Sequence, residues 1–389
     1  MKNKKLIALL LVTLVAVNVI TPAFAEESTA ESTTDTAYTV QYSQVEQMVL
    51  SNNLQAQSNA LAIGMMSNEN KTKERYQQLA NSIQQTSATL TAIMNSSSAT
   101  QDLKTVAQGT NVSLSSLLTM FQAQAETSDD DYELTEFQMD QANYQTVKAA
   151  QSMFSTYYQL QYNLEQLTNT RVTLVDAVNA AQVKLNLGLC TSDALTNANA
   201  NVTTLDNNIT DLQNQSKSVG YQMNQLLGHS YNDKITFGKM PEPDTDYVSK
   251  INLKNDFATA SSASYNVKID LKQRTIIGDE TRTNRDQRQM KSNAAAMEIQ
   301  KIGASLDTQY AAIQKQQSVL ALEQKNLDSA KLKRDQAQTQ YHIGALSLIN
   351  LNTAKNNYLK QQTVVETAKS TLFWKIETYR WIVKGLPAS

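Results

Sequence analysis

Proline, glycine and cysteine are scarce in this 389-residue chain. Four prolines and ten glycines leave long stretches with nothing to break a helix. A single cysteine, Cys190, excludes an intrachain disulfide framework and reads as a small turn residue rather than a reactive thiol. The two histidines, His229 and His342, stand far apart, and neither has a Cys, Asp or Glu at metal-ligand spacing. No H-E-x-x-H, C-x-x-C, glycine-rich phosphate loop or nucleophile elbow is present. These absences argue against an enzyme, and no cofactor or metal is expected. The Asp129–Asp131 run reads as a solvated loop rather than a cation site. Aromatics are 6% and charged residues 18%, so large apolar side chains are few and a thin seam is expected in place of a thick globular core. The formal charge of −2 argues against a nucleic-acid partner. Beyond the N-terminus no continuous apolar run is long enough to enter a bilayer, which weighs against a helical pore-forming toxin.

The N-terminus has the three parts of a secretory signal. Lys2, Lys4 and Lys5 are the charged start, Leu6 to Ile20 is largely apolar, and Ala23-Phe24-Ala25 is a small-x-small cleavage site. Residues 1–25 are therefore read as a signal peptide and the mature chain as exported and acidic. Residues 26–37 are small, polar and acidic, which predicts a flexible leader.

What is abundant is heptad patterning. Ser43 and Glu46 have capping-box spacing and predict a first helix running past Ile83 and Leu90. Residues 95–133 weaken the pattern, with turn chemistry at Asn95–Ser98 and Gly109-Thr110-Asn111. Then Ala150, Met153, Tyr157, Leu160, Leu164, Leu167, Arg171, Leu174, Val178, Ala181 and Leu185 alternate steps of three and four. Leu187-Gly188 ends that seam and Thr191 or Ser192 caps the next, from Leu195 to Leu226, which Gly228 closes. Two seams joined by so short a turn must pack antiparallel, because neither buries its stripe alone.

Pro241-Glu242-Pro243-Asp244 reads as a linker, and the plan then repeats. A seam through Leu306, Tyr310, Ile313, Gln317, Leu320, Gln324 and Leu327 leads to Ile343-Gly344, and a second runs from Leu351 to Val383 before Gly385. Gln317 and Gln324 on the seam are expected to fix register. The fold class is therefore all-α: two tandem long antiparallel helical hairpins, one in residues 38–240 with its turn at 187–191, one in residues 241–389 with its turn at 343–347.

The duplicated glycine turns, the helix opening at Ser43–Asn53, the Leu226-Leu227-Gly228 ending and the Pro241/Pro243 linker resemble the TolC-like outer-membrane efflux channel family. The resemblance covers most of the mature chain. It implies a homotrimer whose helices form a tunnel. The helical turns would meet an adaptor (membrane-fusion) protein attached to an ABC or proton-driven pump. It places the adaptor-contacting tip at Leu187, Gly188, Leu189 and Thr191, with Ile343, Gly344, Ala345 and Ser347. It also implies a cell-envelope location: outer membrane and periplasm in a two-membrane cell, surface or wall otherwise.

Two departures are readable. The family inserts a β-hairpin into each half to build a membrane barrel. Here the best strand candidate is the short alternation Tyr265, Val267, Ile269, Leu271, with no partner strand, so no lipid-spanning barrel is predicted. Family members also often carry acids six and nine positions after the second turn glycine. Those positions hold Asn350 and Thr353, which with Asp193 are the pore-lining candidates. The competing reading is a secreted coiled-coil surface or scaffold protein without transport activity. Matched glycine tips favour the conduit.

Overall fold

Helix after helix in this chain ends on a glycine with a left-handed backbone. The computed structural model describes residues 37–387 apart from 68–71, 96–100, 127–131 and 279. The signal peptide, nearly all of the leader and the Asp129–Asp131 run lie outside the described residues. The elements in order are β1 (Tyr38–Val40), α1 (Tyr42–Asn52), α2 (Leu54–Ser67), α3 (Thr72–Asn95), α4 (Gln101–Glu126), α5 (Tyr132–Asn186), α6 (Ser192–Leu226), β2 (Ile235–Phe237), α7 (Thr245–Ser249), α8 (Leu253–Ala263), α9 (Tyr265–Ile276), α10 (Arg282–His342) and α11 (Leu348–Val383). The protein is all-α. Among the described residues the strands are β1 and β2, three residues each, paired in parallel. Neither approaches the nine to eleven residues, roughly, that a membrane strand needs.

The two halves each contain one long hairpin. α5 and α6 form one antiparallel hairpin, α10 and α11 the other, and α11 lies along α5. Gly188, Gly228, Gly344 and Gly385 have φ of 69°, 74°, 75° and 94°. Each makes the same reversal. The residue after the glycine donates to the carbonyl five positions back, as Leu189 does to Lys184 at 2.8 Å and Ala345 to Gln340 at 2.8 Å. The likeness extends to the other ends of the rods. Gly228 sits against Asn52, at the break between α1 and α2, and Gly385 against Ala263, at the break between α8 and α9. At the first break Asn53 caps α2 through Ala56 N–H at 3.1 Å and donates to the Leu226 carbonyl at 3.1 Å. At the second, Ser264 caps α9, and the Tyr265 N–H reaches the Gly385 carbonyl at 3.3 Å.

Four sequence expectations are corrected. The first helix does not run unbroken past Leu90: it breaks at Asn53. Its capping box belongs to Gln41 and Gln44, not Ser43 and Glu46. Tyr42 is drawn inward, edge-on to Phe154 and Phe373, and the helix starts two residues earlier. Gly109-Thr110-Asn111 is not a turn but lies within α4, which pairs with α3 as a helical hairpin. Tertiary pairing overrides local turn propensity there. Finally, the strand candidate 265–271 is helix α9. Its buried residues, Asn266, Val267, Ile269, Asp270 and Gln273, follow helical spacing, and three are polar. Asn266 accepts from Gln141 at 2.7 Å and donates to Glu298 at 2.9 Å, so polar groups hold core positions and mislead an apolar count.

Buried side chains concentrate away from the 188 and 344 turns. One cluster gathers Val45, Val49, Val147, Phe154, Met223, Leu226 and Trp381. The other gathers Ala260, Val267, Ile302, Leu306, Ile313, Ile376 and Tyr379. The linker is fixed there too, with Asp244 capping α7 and pairing with Arg380 of α11. Among the described residues no helix is long and apolar enough to cross a membrane.

The glycines at opposite rod ends should respond differently to alanine. At Gly188 the added Cβ meets open space, so the cost is backbone strain of about 1–2 kcal/mol. At Gly228 the same Cβ overlaps the Asn52 carbonyl, adding a packing cost of roughly 1–3 kcal/mol. Urea unfolding should rank Gly228→Ala clearly below Gly188→Ala; equal midpoints would contradict the packing described.

Candidate functional site at the paired turns

The turns at Gly188 and Gly344 are built alike. Helix α5 arrives through Lys184 and Leu185, reverses at Gly188, and α6 starts with Thr191 accepting from the Ala194 N–H at 3.4 Å. Helix α10 reverses at Gly344, and α11 starts with Ser347 accepting from the Asn350 N–H at 3.3 Å. The left-handed glycine supplies the reversal and the hydroxyl cap restarts the helix.

Apolar side chains are then left in the open. Leu187 is 67% and Leu189 71% exposed in the first turn, Ile343 74% in the second. Leu348 and Ile349 extend the second patch, and Ala345 is exposed as well. Solvent-facing apolar residues clustered at a rod end mark a contact surface more often than a stable free one. Cys190 is less open than its neighbours: its thiol points back to the Ala181 carbonyl at 3.3 Å. His342 contacts Gln338 at 2.9 Å and flanks the turn without an acidic partner there.

The pore-lining candidates sit just behind. Asp193 is exposed in the first turn of α6, and Thr353 is exposed with its hydroxyl donating to the Ile349 carbonyl at 2.9 Å. Asn350 is exposed, and its backbone N–H donates to the Ser347 cap.

Sequence reasoning missed the bonds that tie the two hairpins together. Asn352 on α11 donates to Asp176 on α5 at 2.9 Å, and Asn356 donates to Thr173 at 2.5 Å. Their i, i+4 spacing was the available signal. Within the first hairpin, Arg171 reaches Asp206 with two bonds, at 2.5 and 3.1 Å. The Arg171 hydrogen bond holds the Asp206 carboxyl below the usual range. Register in the second hairpin comes from Gln309 and Gln316, which donate to the Lys375 and Ala368 carbonyls at 2.7 and 3.1 Å. Gln324, expected on the seam, is exposed. A straight helix drifts about 20° per heptad, which carries the contact face off a strict seven-residue count. His229 also departs from expectation: Asp233 lies 3.5 Å away and Tyr38 stacks on its ring at 4.0 Å. That single carboxylate makes no metal site, and no group of three or more ligating side chains occurs among the described residues.

The seams themselves are half covered. Leu160, Leu164, Leu167, Leu174, Val178 and Leu185 on α5 are all of intermediate exposure, as are Leu195, Val202, Ile209 and Leu212 on α6. Towards the turns, full burial thins to Leu205, Ala337 and Leu351.

No protein-family model matches the chain, and no curated protein matches it in sequence. Solved structures do. The outer membrane protein VceC of Vibrio cholerae aligns with a TM-score of 0.52 at 11% identity, over 90% of this chain and 97% of that one. The outer-membrane channel OprN aligns with a TM-score of 0.51 at 11% identity, over 89% and 90%. At this identity the likeness defines the fold: an all-α, TolC-like helical protomer.

Thiol labelling tests the tip geometry. In a Cys190→Ser background, Leu189→Cys should react with maleimide at least about tenfold faster than Cys190 does in the parent chain. Slower labelling at 189 would mean that the turn is covered.

Proposed function

We propose that this chain is the protomer of a TolC-like conduit in the cell envelope, exported across the cytoplasmic membrane, that docks an adaptor protein through its paired turns. The observation that carries the reading is the pair of matched tips, each left-handed at glycine and each presenting exposed leucine or isoleucine. A coiled-coil scaffold has no need of two such ends held side by side by Asn352–Asp176 and Asn356–Thr173.

In this reading Leu187, Leu189 and Ile343 fill grooves on the adaptor. Gly188, Gly344 and Ala345 allow its backbone to approach, and Thr191 and Ser347 frame the contact. An ABC or proton-driven pump would complete the assembly. The half-covered seams supply the reason for a homotrimer. A fully buried leucine contributes roughly 2 kcal/mol, so each half-covered one leaves about 1 kcal/mol to be gained when a neighbouring protomer closes the tube. Asp193, Asn350 and Thr353 would line the tip opening. With asparagine and threonine at 350 and 353, that opening carries less negative charge than a ring of acids.

Purified protein should capture the adaptor encoded in the same genome. Leu187→Asp with Ile343→Asp should weaken capture by about 2 kcal/mol or more, roughly thirtyfold, while helicity stays unchanged. Capture indifferent to both substitutions would remove the tips from the interface and favour a scaffold role.

A further inference from the structure

The four long helices stand in an open row. α6 packs on α5, α5 on α11 and α11 on α10, while α6 and α10 do not pack along one another among the described residues. Each end of the row therefore leaves one long flank without a neighbour, and the two flanks differ in chemistry.

On α10 the free flank carries a second stripe at steps of three and four. Lys315, Ser318, Leu322, Lys325, Ser329 and Leu332 share it, and all six are exposed. The stripe lies opposite the face of Ile313 and Gln316, which packs on α11. Leu322 is 56% and Leu332 60% exposed. α6 offers the opposite sign. Its charged residues are Asp193, Asp206, Asp211 and Lys217. Arg171 takes Asp206, and Lys217 lies over the Tyr221 ring at 5.6 Å. Asp193 and Asp211 remain, both exposed. A lysine–leucine stripe at one edge thus answers an acidic edge at the other. The two cannot meet within one chain, because α5 and α11 stand between them.

Hydrogen bonds carry a common level across the row. Arg171–Asp206 and Gln161–Ser216 set Asp211 level with about Gln166 on α5. Asn352–Asp176 and Asn356–Thr173 carry that level to about Gln362 on α11. Gln361–Glu323 and Gln316–Ala368 carry it to about Leu322 on α10. Lys325 is one turn away, about 4.5 Å along the helix, which a lysine side chain spans. Copies related by rotation about an axis along the rods keep their heights, so Asp211 of one copy comes opposite Leu322 and Lys325 of the next.

We propose that the α6 flank of one copy packs on the α10 flank of a second, with Asp211 paired to Lys325 and Leu322 covered beside them. The proposal rests on the conduit reading and adds which edges meet and at what register. The contact is head-to-tail, since each copy uses a different edge on either side, and a rotation closes it into a ring. Covering leucine supplies affinity, and the charge pair chiefly fixes orientation and register.

In a Cys190→Ser background, Asp211→Cys with Leu322→Cys should form disulfide-linked copies of the full chain on mild oxidation. Within one chain the two positions are three helix spacings apart, about 24–30 Å, too far for a bridge, so each link joins two copies. Asp211→Cys with Leu332→Cys, about 15 Å off register, should link at least tenfold less. Lys325→Glu should weaken self-association in sedimentation about fivefold, and adding Asp211→Lys should restore it. Copies that associate but link equally at 322 and 332, or charge reversal that fails to rescue, would overturn the proposed edges and leave the conduit reading standing. A chain that stays monomeric would overturn the interface, and adaptor capture at the tips would then judge the conduit reading by itself.

Discussion

A helix with one narrow apolar stripe has to have that stripe covered along its whole length, and the cover here is another helix of the same chain running backwards. That constraint explains why glycine is rare yet indispensable. Gly188 and Gly344 lie where α5 and α10 must reverse, and φ near 70° is cheap for glycine alone. Gly228 and Gly385 do the same at the opposite ends. There close packing against Asn52 and Ala263 also forbids a side chain, so the conformation is locked by two independent requirements. With the reversals fixed, polar pairs set the register. Gln309 and Gln316 bind backbone across the second hairpin, Arg171 and Asp206 clasp the first, and Asn352 and Asn356 bind one hairpin to the other.

The two halves differ in one respect. Between the α1/α2 break and the Gly188 turn the first half inserts the α3–α4 helical hairpin. The second half passes from α9 to α10 through a short connection. Resemblance to TolC-like channels leads one to expect strand hairpins at both places. A small core of Ala62, Tyr76, Ala80, Phe121 and Met139 anchors the inserted helices to α2 and α5. The α9–α10 connection occupies the corresponding place in the second half. The two halves therefore share the order of their long helices and glycine turns and differ at the end away from the 188 and 344 turns.

The rods were readable because long heptad seams and glycine stops are strong signals that need no tertiary information. Residues 150–185, Gly188, Gly344 and the hydroxyl cap at Thr191 all appear where their spacing put them. Shorter elements were not readable. Tyr265 to Leu271 alternates like a strand, yet Asn266 and Asp270 are buried because Gln141, Glu298 and Lys291 satisfy them. No apolar count reveals that partnership. Residues 109–111 look like a turn until α3 is available to pack against. At the tips the apolar exposure of Leu187, Leu189 and Ile343 follows from the turn itself. The bonds at Asn352 and Asn356 depend on how two hairpins, separate in sequence, lie together.

The central claim is that the 188 and 344 turns share one end of the molecule. Spin labels at Leu189→Cys and Ala345→Cys, in a Cys190→Ser background diluted with unlabelled protein, report the distance between them by pulsed dipolar spectroscopy. Helices packed at about 8–10 Å place the two turns within roughly 20 Å of each other, and a distribution centred there is the predicted result. A distance near the length of a rod, about 50 Å or more, would put the turns at opposite ends and contradict the paired-hairpin architecture.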